Sequence, residues 1–232
     1  MNSSNNVFDA TADNYEQLLR QNLAAYGKNI SYYSEYKVRL SSKLVKNASA
    51  ILEYGCGTGR NLPFLKKYYP KSKISACDIS QKSISVARKE NPWVDFFAME
   101  EIDKRNQVYD LIFVANVLHH VPLHERDAVF AQICSTLKKG GAALIFEHNP
   151  YNPLTVHVVN TCPFDEGVVL LKPKEILARA HKAGFAILKK GYSLFFPAAF
   201  RKLNPVEKYI SFLPLGGQYF VHLKKTDGVK NQ

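Results

Sequence analysis

The stretch Ile51-Leu-Glu-Tyr-Gly-Cys-Gly-Thr-Gly-Arg-Asn61, or ILEYGCGTGRN, joins a short apolar run to an acidic residue and three glycines at alternate positions. The apolar run predicts a buried strand, and the glycines predict a tight turn from that strand into a helix over 60–69. Glycine has no side chain, so such a turn also lets a ligand approach the backbone closely. The stretch therefore predicts a ligand site where the first strand ends.

Strand-like and helix-like segments alternate on both sides of this turn. Two helices, over 14–26 and 30–46, are predicted before the first strand because leucines and tyrosines recur there at helical spacing. Later helices are predicted after Ser80, over 124–138 and over 173–183, and the strands at 51–54, 73–78, 93–97, 110–115, 142–147, 185–190 and 218–223. This alternation predicts an α/β fold of three layers, with helices on both faces of a mainly parallel seven-stranded sheet.

Length and composition favour one intracellular domain. The chain has 232 residues, of which 46% are apolar, so a sizeable core is expected. Four scattered cysteines without a CxxC pair favour reduced thiols and a reducing compartment. The N-terminus lacks the basic and apolar regions of a secretory signal, and no apolar run is long enough to span a membrane. These features predict a cytoplasmic location.

The spacing of the glycines separates two classes of ligand. Dinucleotide-binding turns use G-x-G-x-x-G, whereas Gly55, Gly57 and Gly59 form G-x-G-x-G, with Glu53 two residues ahead. This pattern resembles the first motif of the class I S-adenosylmethionine-dependent methyltransferases. The segments ACDIS, YDLIFVANVLHHV, LKKGGAALIFEHN and GFAILKKG follow in the order that this family shows. The resemblance implies a Rossmann-like fold with strand seven antiparallel, and S-adenosylmethionine as the cofactor, with S-adenosylhomocysteine as its product.

The resemblance also implies which residues hold the cofactor. Asp78, at the end of strand two, would accept hydrogen bonds from the ribose hydroxyls, and Ile79 would lie against the adenine. Glu100, or Glu101 beside it, would approach the adenine amino group. The full predicted set is Glu53, Gly55, Cys56, Gly57, Gly59, Asp78, Ile79, Glu100, Ala115 and Asn116, of which the last two would lie beside the methionine part.

The segment EHNPYNPLTVHVVNTCPFDEGVVLLKP follows strand five and is long for a connection. In the family that this chain resembles, the loop at this position borders the methyl-accepting pocket. His148 and His120 are therefore candidate proton acceptors, and Tyr151 is a candidate contact to the acceptor. A rigid scaffold with satisfied polar groups is the alternative. His120 and His124 stand four residues apart, but no HExxH motif accompanies them, so no metal is predicted.

Charge and aromatic residues near the C-terminus bear on the partner. The net charge is +11, and residues 172–232 hold twelve Lys and Arg against three acidic residues. Residues 191–217 interleave six aromatic residues with Arg201, Lys202 and Lys208. This pattern favours a small or amphiphilic, lipid-like acceptor and contact with an anionic membrane. An apolar roof over the pocket is the plainer alternative, and nucleic acid is not expected as a partner.

The predicted organisation is a single domain over 1–232. It comprises an N-terminal helical cap (1–47), a cofactor-binding core (48–147), an acceptor loop (148–172) and a C-terminal part (173–232) with an aromatic and basic insertion over 191–217. Three other functions stay open at this point. They are an RNA methyltransferase, a protein that binds the cofactor without turnover, and a nicotinamide-dependent oxidoreductase, which the glycine spacing disfavours.

Overall fold

The computed structural model describes residues 30–162, 165 and 167–226, and its strands form one seven-stranded sheet. The strands are β1 (Ala50–Tyr54), β2 (Lys73–Asp78), β3 (Asp95–Ala98), β4 (Tyr109–Ala115), β5 (Leu137–His148), β6 (Phe185–Ser193) and β7 (Gln218–Lys225). Their order is β3-β2-β1-β4-β5-β7-β6, and β7 runs antiparallel to both of its neighbours. The predicted fold class, including the antiparallel seventh strand, is confirmed.

Helices cover both faces of this sheet. The helices are α1 (Ile30–Leu44), α2 (Leu62–Tyr68), α3 (Gln81–Glu90), α4 (Arg126–Thr136), α5 (Pro153–Thr161), α6 (Pro173–Lys182) and α7 (Glu207–Ile210). Ser80 caps α3 as predicted, because its hydroxyl accepts a hydrogen bond from the Ser83 N–H at 3.0 Å. The helix predicted over 14–26 lies outside the described residues.

The core lies on both faces of the central strands. Along β4, Ile112 and Val114 pack into one apolar cluster, and Leu111 and Phe113 pack into the other. All four side chains are fully buried. A strand buried on both faces has no polar alternation, which is why DLIFVA reads as a continuous apolar run. The two clusters account for the three-layer arrangement.

The structure differs from the prediction at two places, and the first is the boundary between α4 and β5. α4 ends at Thr136, and β5 begins at Leu137, where the sequence predicted the last turn of a helix. Lys138 forms an ion pair of 2.8 Å with Asp110, and the pairing of β4 with β5 shifts register between Tyr109 and Leu111. This irregular pairing extends β5 backwards beyond the glycine pair.

The second difference is α5, inside the segment predicted as a loop. The Asn152 side chain accepts hydrogen bonds from the N–H groups of Leu154 and Thr155, and Pro153 occupies the first turn. The sequence analysis predicted a loop over 148–172, whereas these cap signals start a helix inside it. β-Branched residues in the helix reduced its apparent helical character.

No helix of the described part of the chain combines the length and the apolar character that crossing a bilayer requires. The four cysteines are free, and Cys134 alone among them is only partly buried.

Candidate functional site

The glycine turn lies at the switch point of the sheet, where β1 has β2 on one side and β4 on the other. Its three glycines have positive φ angles, of 75°, 51° and 81°. A Cβ on Gly55 would come within 2.5 Å of Val117, and one on Gly59 within 2.9 Å of Leu62. Among the described residues, a Cβ on Gly57 would meet no atom within 4 Å. Packing therefore explains two glycines, whereas the third leaves space beside the turn.

Asp78 holds this turn in place. Its carboxylate accepts hydrogen bonds from the Gly57 N–H at 2.7 Å and the Ser80 N–H at 2.9 Å. The residue is 8% exposed and stands at the end of β2, beside β1. The sequence predicted a ribose contact for this carboxylate, and the structure adds a role in shaping the glycine loop. The ribose contact stays a prediction.

A cavity of about 270 Å³ opens over the loop. Several predicted residues line it, namely Gly55, Cys56 and Gly57 from the loop and Asp78 and Ile79 from the end of β2. Others lie after β4, namely Ala115, Asn116 and His120. The cavity thus gathers residues from three strand ends, as expected of a site at the carboxyl edge of a parallel sheet.

Other predicted residues lie elsewhere. Glu53 is buried below the loop, and Gly59 packs against α2 and α3. Glu100 is exposed on the 3₁₀ turn Met99–Lys104 and does not line the cavity, which Met99 lines instead. Tyr151 is 46% exposed at the protein surface. None of the described residues between 148 and 172 lines the cavity directly.

Two buried charged groups lie close to the loop. Glu53 accepts a hydrogen bond from the Asn61 amide at 2.7 Å, while its second oxygen has no hydrogen-bond partner in the part of the chain that the structure describes. Burial raises the pKa of Glu53 to about 8. Burial and then the charge of Arg60 lower the pKa of Lys37, on α1, to about 8. A buried acid and a cavity-lining base fit a ligand that carries both an ammonium and a carboxylate group.

The raised pKa of Glu53 gives a stability prediction. Between pH 4.5 and 8 the folded state holds a proton that the unfolded state releases, so stability is expected to fall as pH rises. Glu53→Gln removes this titration, and its free energy of unfolding should exceed that of the unsubstituted protein by a few kcal/mol at pH 8. Urea denaturation at pH 5, 6, 7 and 8 measures the difference. Parallel pH curves for the two proteins would contradict the assignment.

Glu147 organises a cluster of histidines beside the cavity. Its buried carboxylate accepts hydrogen bonds from the N–H groups of Val117 at 3.0 Å and Leu118 at 2.7 Å. Its second oxygen lies 2.7 Å from Nδ1 of His119. His119 was not among the predicted site residues, and β5 supplies its carboxylate partner.

Asp165 completes the histidine cluster, which comprises His119, His120, His148, Glu147 and Asp165. Oδ1 of Asp165 lies 3.4 Å from Nε2 of His119 and also 3.4 Å from Nε2 of His120. The His148 ring centre lies 5.1 Å from that of His119. Two of the predicted catalytic residues, His120 and His148, therefore belong to one cluster, and Tyr151 does not.

The histidines of the cluster differ in protonation. Burial lowers the pKa of His119, but the carboxylates of Glu147 and Asp165 outweigh it and raise the pKa to about 9. Burial and then the charge of His119 lower the pKa of His120 to about 3 and that of His148 to about 4. His120 and His148 are therefore neutral at pH 7, with a ring nitrogen that can accept a proton or bind a metal.

The surface of residues 198–215 is apolar and basic. Its exposed side chains form what we call the amphiphilic rim: Phe200, Arg201, Lys202, Leu203, Val206, Lys208, Tyr209, Phe212 and Leu215. Glu207 and Asn204 of the same segment face inward instead. Buried Glu207 accepts hydrogen bonds from the Tyr36 hydroxyl and the Phe195 N–H, and Asn204 accepts one from Tyr32. None of the rim residues lines the cavity described above.

Comparison with known proteins agrees with this geometry. Residues 51–141 match the family described as methyltransferase domain. A malonyl-[acyl-carrier protein] O-methyltransferase of Priestia megaterium is 33% identical over 82 residues, covering 32% of this chain and 30% of the relative. An enzyme of the same description from Ilyobacter polytropus is 29% identical over 134 residues, covering 53% and 49%. The chain thus spans less than half the length of these curated relatives.

Solved structures share the whole fold. A SAM-dependent methyltransferase from Thermotoga maritima has a TM-score of 0.67 at 19% identity, covering 95% of this chain and 99% of its own. A TehB-like SAM-dependent methyltransferase from Corynebacterium glutamicum has a TM-score of 0.65 at 21% identity, covering 94% and 99%. At these identities the likeness establishes the fold.

Proposed function

We propose that this chain, which carries a class I S-adenosylmethionine-dependent methyltransferase domain, transfers the cofactor's methyl group to an amphiphilic acceptor. The observation that carries the proposal is the open space at Gly57, which borders a cavity at the switch point and is held by Asp78. A turn that only reversed the chain would not need this space.

The residues around the cavity fit the cofactor part by part. Asp78 would hold the ribose, and the apolar side chains of Ile79 and Met99 would cover the adenine. Lys37 would meet the carboxylate group of the methionine part, near Ala115 and Asn116. Glu53, behind the loop, would act on the ammonium group through Asn61, which lines the cavity and donates a hydrogen bond to Glu53. When bound, S-adenosylmethionine supplies a methyl group on a sulfonium cation. Exclusion of water from the cavity on binding would favour the transfer, because the positive charge disappears as the methyl group moves.

The chain would contribute orientation and a proton acceptor. Holding the acceptor in line with the methyl group replaces a bimolecular encounter by a step within one complex. An acceptor hydroxyl or amine also has to release a proton. His120, which lines the cavity, and His148, beside it in the cluster, are neutral at pH 7 and are the proposed proton acceptors.

His148→Ala is expected to reduce turnover by about 100-fold on an acceptor that must lose a proton. The affinity for S-adenosylhomocysteine should stay within about twofold, because His148 does not line the cofactor cavity. Single-turnover kinetics and calorimetric titration of the same preparation measure the two effects. A variant that turns over at the rate of the unsubstituted protein would exclude His148 as the proton acceptor.

The amphiphilic rim supports the choice of acceptor. It combines aliphatic and aromatic side chains with Arg201, Lys202 and Lys208, so it matches an apolar surface that carries negative charge. Asn152 donates a hydrogen bond to the Leu215 carbonyl, which places exposed Leu154 of α5 beside this rim. Leucine and valine have no preference for nucleobases, so the rim favours lipid over RNA. The relatives named malonyl-[acyl-carrier protein] O-methyltransferase take an acyl acceptor held on a carrier protein, and the labelling experiment below separates that acceptor from a lipid.

Sedimentation with vesicles tests this proposal. Vesicles of phosphatidylglycerol and phosphatidylcholine should bind the protein at low salt and release it at high salt, since each well-placed Lys or Arg contributes about 1 kcal/mol. Phe212→Ser with Tyr209→Ser should abolish binding, whereas Leu123→Ser, at an exposed leucine outside the rim, should not. Methyl label from a cell extract should enter the organic phase. Label on a water-soluble metabolite or on an acyl-carrier protein would contradict the lipid acceptor.

A further inference from the structure

We infer that His119, His120 and Asp165 form a binding site for a divalent transition-metal ion such as Zn²⁺, at one side of the cofactor cavity. One ligand atom from each residue lies within 4.8 Å of the others. Two imidazoles and a carboxylate suit zinc and its neighbours in the first transition row, and do not suit Mg²⁺ or Ca²⁺, which prefer oxygen. His124, four residues after His120, does not belong to this site, because it is exposed and lies beside Glu125 at 3.4 Å.

The distances match those between ligands of one ion. Both Nε2 atoms lie 3.4 Å from the same oxygen of Asp165. Ligands at 2.0–2.1 Å from a tetrahedral zinc ion are about 3.3–3.4 Å apart. A charge-assisted hydrogen bond between imidazole and carboxylate is shorter, about 2.7–2.9 Å. The distance of 3.4 Å is therefore long for a hydrogen bond. It suits two histidine nitrogens and a carboxylate oxygen that bind the same ion.

Glu147 supplies the expected support. A metal-bound histidine normally donates its other ring N–H to a carboxylate, which fixes the tautomer and the ring orientation. Nδ1 of His119 lies 2.7 Å from Glu147, and Nε2 of the same ring faces Asp165. Two carboxylates lie in this cluster, and Glu147 is fully buried. A divalent cation would balance their two negative charges, whereas a single proton on His119 balances one.

The site would stay open on the cavity side. Three protein ligands leave a fourth position, which water or substrate occupies in catalytic zinc sites. His120 lines the cavity, so that position would face the acceptor. This role rests on the proposed function. The ion would bind the acceptor oxygen, whose proton passes to His148, and the new O–CH₃ bond forms as the S–CH₃ bond breaks and the sulfonium becomes a thioether. His120 would then be a ligand and not a proton acceptor.

Zinc titration of the full chain tests the site. Protein stripped with a chelator and titrated against a chromophoric zinc indicator should bind one Zn²⁺ per chain. His120→Ala and Asp165→Asn should each weaken binding by at least about 100-fold. His124→Ala, which removes an exposed histidine four residues further on, should leave the affinity unchanged.

S-Adenosylhomocysteine binding, measured on the same samples, separates this inference from the proposed function. Variants that lose zinc but still bind S-adenosylhomocysteine are folded, and their loss supports the site. A stripped protein that binds S-adenosylhomocysteine but takes up no zinc would overturn the metal site while leaving the methyltransferase proposal standing. Zinc binding that all three variants retain would also overturn it.

Discussion

Gly57→Val is expected to weaken the binding of S-adenosylhomocysteine by at least about 100-fold, which corresponds to about 2.7 kcal/mol. Gly57 lines the cavity, and a Cβ at this position would meet no protein atom within 4 Å. A valine side chain would therefore project into space that the ligand needs. The φ angle of 51° adds backbone strain of about 1–3 kcal/mol, which lowers stability without blocking the site.

Gly184→Val is the matched control. Gly184 also has a positive φ angle, of 87°, and open space at its Cβ, but it follows α6 and does not line the cavity. The control should therefore carry similar strain and retain the affinity of the unsubstituted protein. Calorimetric titration and thermal unfolding of both variants measure affinity and stability. A Gly57→Val protein that binds S-adenosylhomocysteine normally would place the ligand elsewhere.

Asp78→Ala is expected to reduce the affinity for S-adenosylhomocysteine by about 100-fold. The substitution removes an anionic acceptor for two backbone N–H groups of the loop region, each worth about 1.5–3 kcal/mol. It also removes the proposed contact to the ribose hydroxyls. Both losses weaken the complex. Without Asp78 the glycine loop is less ordered in the free protein, so the ligand has to order it on binding.

Asp110→Ala provides a comparison at the opposite end of the sheet. Its carboxylate likewise accepts two backbone hydrogen bonds, from the N–H groups of Ser49 and Ala50, near the start of β4. This variant should lose stability and keep its affinity for S-adenosylhomocysteine. Equal losses of affinity in the two variants would show that general destabilisation, and not a site at Asp78, explains the effect.

Local patterns were sufficient to predict the fold and to bring several of the predicted site residues to one cavity. A buried strand, a glycine turn and an acid after the next strand all lie within short stretches, and parallel strands bring their carboxyl ends together. Gly57 and Asp78 therefore lie at the same edge of the sheet, where the Gly57 N–H donates to Asp78 at 2.7 Å. The same reasoning identified β4, since a strand that is buried on both faces is apolar throughout.

Contacts between distant segments were not predictable in this way. Lys37 reaches the cavity because α1 packs against the sheet, and Asp165 reaches His120 from a segment with no regular spacing to it. Glu100 illustrates the opposite error, because a 3₁₀ turn directs it outward and brings Met99 to the cavity. The orientation of the amphiphilic rim depends on buried Glu207, whose partner Tyr36 lies on α1. The two residues of each contact lie far apart in the sequence, so no short stretch contains both.

Calorimetric titration of the full chain with S-adenosylhomocysteine, and separately with NAD⁺, tests the central claim most directly. The account predicts one S-adenosylhomocysteine site per chain, competed by S-adenosylmethionine, and no binding of NAD⁺. Binding of NAD⁺ in the absence of any S-adenosylhomocysteine binding would contradict it.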